Sequence, residues 1–350
     1  MNYEHRSNYL SASEMKLDYN NLEIPEFNVK GIYVTGWAAG NQPHINDLIK
    51  LIEQTELNSM VIDIKDEFGY MSYISDVENA KNTGANKRKI KDIENLLERL
   101  NEKNIYTIGR LVVFQDRNLA VQRPYFALPL KTKEGEIIFS REWVDPYIDT
   151  VREYNIELAA EAFELGFDEV QFDYIRYPVI HEDNKSAFSY GERKVDIINQ
   201  FAAEARKELA EFNRPLSIDV FGLTTTIDGG MGIGQSFRDL ADEINIISPM
   251  VYPSHYFPGS YGFESPAENP YEIIYKSITD AIKKVEDTEN DNVIIRPWLQ
   301  DFSLNHRYTA REVRDQIRAL DDLGIDEWLL WNPRSRYTEG VFLSSEVCEE

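Results

Sequence analysis

The chain has 350 residues, 42% of them hydrophobic and 12% aromatic, enough for a large core. Its 61 acidic against 37 basic residues leave a formal charge of −24. That charge repels a polyanion such as DNA or RNA unless a local basic patch intervenes, and the sequence has none, so no nucleic-acid partner is expected. One cysteine, Cys348 in the polar tail, excludes an internal disulfide and a cysteine-built metal site.

No apolar run reaches the length of a membrane span, and the N-terminus lacks the apolar core of a signal peptide. Residues 1–28 are polar and read as a leader or linker, with the fold expected over residues 29–350. Gly31 to Gly36 predicts a strand, and Leu48, Ile49 and Ile52 share one face of a helix from about Ile45 to Glu56. Asn58 to Asp63 is a second strand. A long polar loop from Asp66 to Arg88 leads to a helix over Ile90 to Asn101. Ile105 to Phe114 is the third strand, followed by an insertion from Gln115 to Trp143. A helix from Pro146 to Leu165 opens on proline and stops at Gly166. The fourth strand lies in Asp168 to Pro178, D-E-V-Q-F-D-Y-I-R-Y-P.

The alternation then repeats. Helices over Glu192 to Glu211, Phe237 to Ala241, Pro270 to Val285 and Ala310 to Leu323 separate further strands. Those strands are Leu216 to Gly222, Ile244 to Tyr252, Val293 to Trp298 and Asp326 to Trp331. The strands are near-continuous apolar runs, as expected where both faces of a parallel sheet are covered. Eight such units point to a single α/β domain, a (β/α)8 TIM barrel with loop insertions after strands 2, 3 and 6. A Rossmann-type sheet is the other architecture considered. Gly229-Gly230-Met231-Gly232-Ile233-Gly234 does not fit its G-x-G-x-x-G fingerprint and reads as a flexible loop. A final helix over residues 338–350 is barely long enough.

In such a barrel the C-terminal strand ends converge on one face. They bring Asp63, Arg110, Asp173, Arg176, Asp219, Tyr252, His255, Trp298, Gln300, Asp301, Trp331 and Asn332 together. Carboxylates and flat aromatic rings in one bowl suit a carbohydrate. Two carboxyl groups flanking a glycosidic bond are the minimum set for its hydrolysis. Asp173 and Asp219 are acids inside otherwise apolar strands, a costly placement that points to work. The competing reading of Asp173 is a lock with Arg176, and that of Asp63 an ion pair with Lys65. The histidines lack H-x-x-x-H or H-x-H spacing, and no P-loop or G-x-S-x-G elbow occurs. No cofactor or metal is therefore expected, although Asp63, Asp66 and Glu67 could together hold a hard cation.

The segments V-I-D-I-K-D-E-F-G-Y, G-R-L-V-V-F-Q-D, F-D-E-V-Q-F-D-Y-I-R-Y-P, D-V-F-G-L-T-T, M-G-I-G-Q, I-S-P-M-V-Y-P-S-H-Y, R-P-W-L-Q-D-F and L-L-W-N-P occur in this order. Together, over roughly Gly31 to Pro333, the chain resembles the bacterial "putative glycosyl hydrolase domain" family, distantly similar to the α-amylase superfamily. The resemblance implies a TIM-barrel glycoside hydrolase acting on a poly- or oligosaccharide, with an extracytoplasmic or cell-surface location. By similarity to α-amylase-like barrels, Asp173 takes the place of the nucleophile and Asp219 that of the general acid/base. Those enzymes usually carry Glu at the second position, so Asp301 and Asp63 stand next in line. On this reading Arg110, Tyr252 and Asn332 orient the carboxylates, Trp298 and Trp331 stack on sugar, and configuration is retained. A non-catalytic glycan-binding barrel of the cell envelope is the alternative.

Overall fold

The computed structural model of the protein describes residues 25, 27–179, 185–187, 193–288, 290 and 292–344. Most of the expected leader, His5, His181, Cys348 and the end of the expected final helix lie outside them. The strands, in chain order, are β1 (Lys30–Val34), β2 (Ser59–Lys65), β3 (Tyr106–Val112), β4 (Ala127–Thr132), β5 (Ile137–Val144), β6 (Glu169–Asp173), β7 (Lys185–Ala187), β8 (Leu216–Phe221), β9 (Ile246–Met250), β10 (Ile294–Ile295), β11 (Trp298–Gln300) and β12 (Trp328–Trp331).

A parallel ladder runs from β1 through β2, β3, β6, β8, β9 and the β10/β11 pair to β12, which returns to β1. The sheet is thus a closed eight-stranded barrel with helices between strands, the (β/α)8 architecture expected from the alternation. Each crossover helix presents an apolar stripe to the sheet, as Ile45, Leu48, Ile49 and Ile52 do on Gln42–Glu53. Asp149–Leu165 ends at Gly166 with φ 109°, the left-handed cap that glycine adopts without strain.

Three local differences from the sequence reading have physical causes. The seventh strand is split into β10 and β11 because Pro297, between them, has no N–H for the ladder. The insertion after β3 forms a helix (Arg117–Gln122) and an antiparallel pair, β4 with β5, which β7 joins on the other edge of β4. The glycine cluster is a tight turn, not an open loop. Gly230, Gly232 and Gly234 all have positive φ, and a Cβ on Gly234 would fall 2.8 Å from the Lys194 carbonyl.

Strand periodicity divides the core in two. Outward residues such as Val170, Phe172, Ile218 and Leu330 join one cluster beneath the helices. Inward residues Tyr33, Val61, Ile108, Trp298 and Leu329 fill the lumen. On β6 the inward set is Glu169, Gln171 and Asp173, so an acid tops the strand as its alternation requires.

Low in the lumen, Arg296 donates to Glu169 at 2.8 and 2.9 Å and to Glu327 at 2.6 Å. On β2 the alternation is broken. Asp63 pairs in register with Arg110 and Lys65 with Leu111, leaving Ile64 as the extra residue of a bulge. Asp63 therefore faces the lumen, while Lys65 turns outward to Asp116 at 3.0 Å and Asn155 at 2.7 Å.

Candidate active site

The C-terminal rim of the barrel carries a cavity of about 460 Å3. Arg110, Asp173, Arg176, Asp219, Tyr252, His255, Trp298 and Trp331, all expected from the sequence, line it. Asp173 and Asp219 come from the adjacent strands β6 and β8.

Asp173 is tied to Arg110. The guanidinium donates to Oδ2 from Nε at 2.9 Å and from a terminal nitrogen at 2.5 Å. The other terminal nitrogen donates to Asp63 Oδ1 at 2.7 Å, and the Tyr33 hydroxyl donates to Asp63 Oδ2 at 2.6 Å. Burial works against the Arg110 charge, but Asp173 and Asp63 together hold its pKa well above the ordinary value. Burial raises the pKa of Asp63, and Arg110 opposes the rise. So Asp173 pairs with Arg110, not with Arg176, and Asp63 with Arg110, not with Lys65.

Asp219 has a different setting. It is 1% exposed, and its carboxyl accepts one hydrogen bond, from Trp298 Nε1 at 2.7 Å. Burial, then the negative field of Asp173, pushes its pKa well above the carboxylate range. The two acids thus sit in different settings, Asp173 paired to a guanidinium and Asp219 buried against an indole N–H.

The backbone at the end of β6 is strained. Tyr174 has φ 53°, a left-handed conformation that a bulky residue adopts at a cost of about 1–3 kcal/mol. The bend lets the Tyr174 N–H donate to Asp173 Oδ1 at 2.6 Å. Three donors therefore fix this one carboxylate.

The aromatic residues divide between support and contact. Trp298 is buried, with its edge toward Tyr33 and Trp331, and it orients Asp219. Trp331 is half-buried, stacks on Tyr33 at 3.8 Å, and carries the Arg110 guanidinium 5.1 Å above its ring. The Tyr252 hydroxyl has no hydrogen-bond partner among the described residues, and burial followed by the fields of Asp219 and Asp173 raises its pKa well above the usual phenol value. His255 stands exposed at the mouth, edge-on to Tyr252.

The cavity does not take up Gln300, Asp301 and Asn332. Gln300 is fully buried and bonds Ser254 and the Phe302 carbonyl. Asp301 accepts from Thr338 N at 2.8 Å and Oγ1 at 2.5 Å, and Asn332 donates to the Asp301 carbonyl. Asp301 and Asn332 line a separate pocket of about 410 Å3. The Asp63, Asp66 and Glu67 cluster is taken apart by cations, Asp63 pairing with Arg110 and Asp66 with Lys89 at 2.6 Å. Among the described residues no group of three or more His, Cys, Asp or Glu is arranged to hold a metal.

The sequence reading passed over Tyr33, Tyr174, Phe221, Tyr256 and Phe257. Tyr33 was accessible to it, since period-2 alternation on β1 points it inward. Phe221 ends strand β8, and Tyr174, Tyr256 and Phe257 lie in loops that carry no repeating pattern. A second cavity, of about 480 Å3, adjoins the first across Arg110, Tyr174 and Trp331, and Trp37 stands 67% exposed on its wall.

Among solved structures, the glycoside hydrolase domain of PgaB (BpsB) from Bordetella bronchiseptica is similar over 88% of this chain and 94% of that one. Its TM-score is 0.66 at 10% identity. The α-galactosidase TtGalA from Thermus thermophilus is similar over 92% of this chain and 60% of that one, with a TM-score of 0.56 at 12% identity. These likenesses are of fold. A hypothetical protein from Ruminiclostridium thermocellum is 38% identical over 54% of this chain and 97% of its own, with a TM-score of 0.48. No curated protein matches. Residues 31–337, nearly the whole barrel, match the family described as "Putative glycosyl hydrolase domain", and the chain belongs to that family.

Proposed function

We propose that the protein is a glycoside hydrolase that cleaves O-glycosidic bonds with Asp173 and Asp219 and retains anomeric configuration. The observation that carries this reading is the contrast between the two acids in one cavity. Asp173 is paired to Arg110, and Asp219 is buried with its pKa raised. Glycoside hydrolysis needs two carboxyl groups in different roles, and the acid whose pKa is raised suits the proton donor.

On this reading an Asp173 oxygen attacks the anomeric carbon as the glycosidic C–O bond breaks. Asp219 gives its proton to the departing oxygen. The glycosyl ester on Asp173 is then hydrolysed by a water that surrenders a proton to Asp219, and the free sugar leaves with its original configuration. Arg110 and the Tyr174 N–H hold Asp173 in place. The free Tyr252 hydroxyl remains a donor for a sugar oxygen. Half-buried Trp331 lines both cavities, and the second, with Trp37, extends the cleft for further sugar units.

The test is a glycan-library hydrolysis screen comparing the wild type with Asp173→Asn. Cleavage by the wild type, reduced about 10³-fold or more in the variant, is expected. Equal cleavage by both would overturn the assignment. NMR of the first-formed anomer decides stereochemistry, and an inverted product would remove the ester step. Glycan binding without cleavage by either protein would favour a lectin-like barrel.

A further inference from the structure

Among the described residues Arg176 forms no ion pair, although it lies within the field of Asp173. It is only 8% exposed, yet no carboxylate lies within ion-pair distance of it among the described residues. Among the described residues it donates from a terminal nitrogen to the Tyr177 carbonyl at 3.0 Å. The rest of the guanidinium is flanked by the rings of Phe221 at 4.4 Å, Tyr174 at 4.8 Å and Trp143 at 4.9 Å. Every other deeply buried arginine described in the barrel, Arg110, Arg152 and Arg296, meets at least one carboxylate. Burying a guanidinium with only rings for company is costly, because cation–π contacts replace a fraction of its lost hydration. That cost is retained where the fork is needed for something that arrives later.

Its location says what arrives. Arg176 lines the same cavity as Asp173 and Asp219, with Phe221 and Tyr174 beside it. Planar forked donors match a planar carboxylate, and the flanking rings hold the fork at a fixed angle. The charges allow it. Arg110 is engaged by both Asp63 and Asp173, whereas Arg176, in the same cavity, is in no ion pair among the described residues.

We propose that Arg176 recognises a carboxylate on the sugar bound at the Asp173–Asp219 site, which makes the substrate an acidic glycan containing uronic-acid units. This rests on the glycoside-hydrolase reading for the bond that is cut, but the recognition itself is testable without turnover.

The experiment is calorimetric titration of the Asp173→Asn protein with methyl glycosides of glucuronic and galacturonic acid, both anomers, against the matching neutral hexosides. Hexose 6-phosphates, hexose 6-sulfates and inorganic sulfate form a second arm. A charge-assisted pair at this site predicts roughly 10- to 150-fold tighter binding of at least one uronide than of its neutral partner. In Arg176→Met on the same background that preference falls to about 1, and Arg176→Lys, with a point charge and no fork, recovers only part of it. Circular dichroism spectra matching the parent confirm that the variants are folded.

Equal binding of uronides and hexosides by the parent protein overturns the proposal, and this needs no Arg176 variant. Preference for the phosphate or sulfate esters over the uronides overturns the carboxylate assignment. A uronide preference that survives Arg176→Met removes Arg176 from it. A uronide preference in a protein that cleaves no glycan leaves the recognition standing and ends the hydrolase reading, so the two failures are told apart.

Discussion

Replacing Asp219 with asparagine should make the protein less active and, above acidic pH, more stable. The side chain is buried, accepts a single hydrogen bond from Trp298, and faces the field of Asp173. In the unfolded chain it titrates near pH 4. In the native state its pKa is raised, so above about pH 4 the native state holds a proton that the unfolded state has released. Stability then falls as pH rises, by up to about 1.4 kcal/mol per pH unit, until the native pKa is passed. Asparagine mimics the protonated form, keeps an acceptor for Trp298 and does not titrate. The difference in unfolding free energy between Asp219→Asn and wild type should therefore be small near pH 4 and grow in favour of the variant above it. Urea unfolding at half-unit pH intervals measures this directly, and taking the difference cancels the titrating groups that do not interact with Asp219. A difference that stays flat with pH, or that grows in favour of the wild type, would mean Asp219 is ionised in the native barrel and is not the proton donor. The same variant should lose about 10²- to 10⁴-fold in activity on glycans with poor leaving groups. It should lose far less on aryl glycosides whose leaving group departs without a proton.

Arg110→Met should destabilise by about 3–5 kcal/mol in urea unfolding at neutral pH, because it leaves Asp63 and Asp173 buried without their shared cation. Gly222→Ala should lower stability by about 1–3 kcal/mol in thermal denaturation, since its Cβ would sit 2.5 Å from the Met250 carbonyl and 2.9 Å from the Tyr256 hydroxyl. Trp37→Ala, at an exposed position, should leave stability within about 0.5 kcal/mol while raising KM for long glycans and not for single-sugar aryl glycosides. Equal effects on both substrates would detach the second cavity from substrate binding.

The barrel was legible because its signal is repeated: apolar runs alternate with helical stripes, and each unit corroborates the next. Asp63, Arg110, Asp173 and Asp219 were legible for a related reason, as charged residues in strands where charge is expensive. What could not be read was direction and partner. Asp173 and Arg176 are close in sequence, but the left-handed Tyr174 between them separates their directions, and Arg110 comes from the neighbouring strand. Gln300, Asp301 and Asn332 stand at strand ends as the site residues do, yet they spend their polar groups on loop carbonyls and Thr338. Pro297 was visible in the sequence, and its missing N–H was the available signal for a broken seventh strand.

The extra residue on β2 has a consequence for how this barrel tolerates change. With regular pleating, Asp63 and Lys65 would project to the same side, and the ammonium would crowd the lumen beside Arg110. Two cations would then share Asp63 and Asp173 in the lumen, and Asp116 would lose its cation under the helices. By absorbing Ile64, the bulge gives each cation its own counterion on its own side of the wall. The pairing is therefore encoded by spacing as much as by residue type. Conservative replacement of Ile64 preserves it, whereas gaining or losing a residue between positions 63 and 65 redistributes charge across the barrel wall.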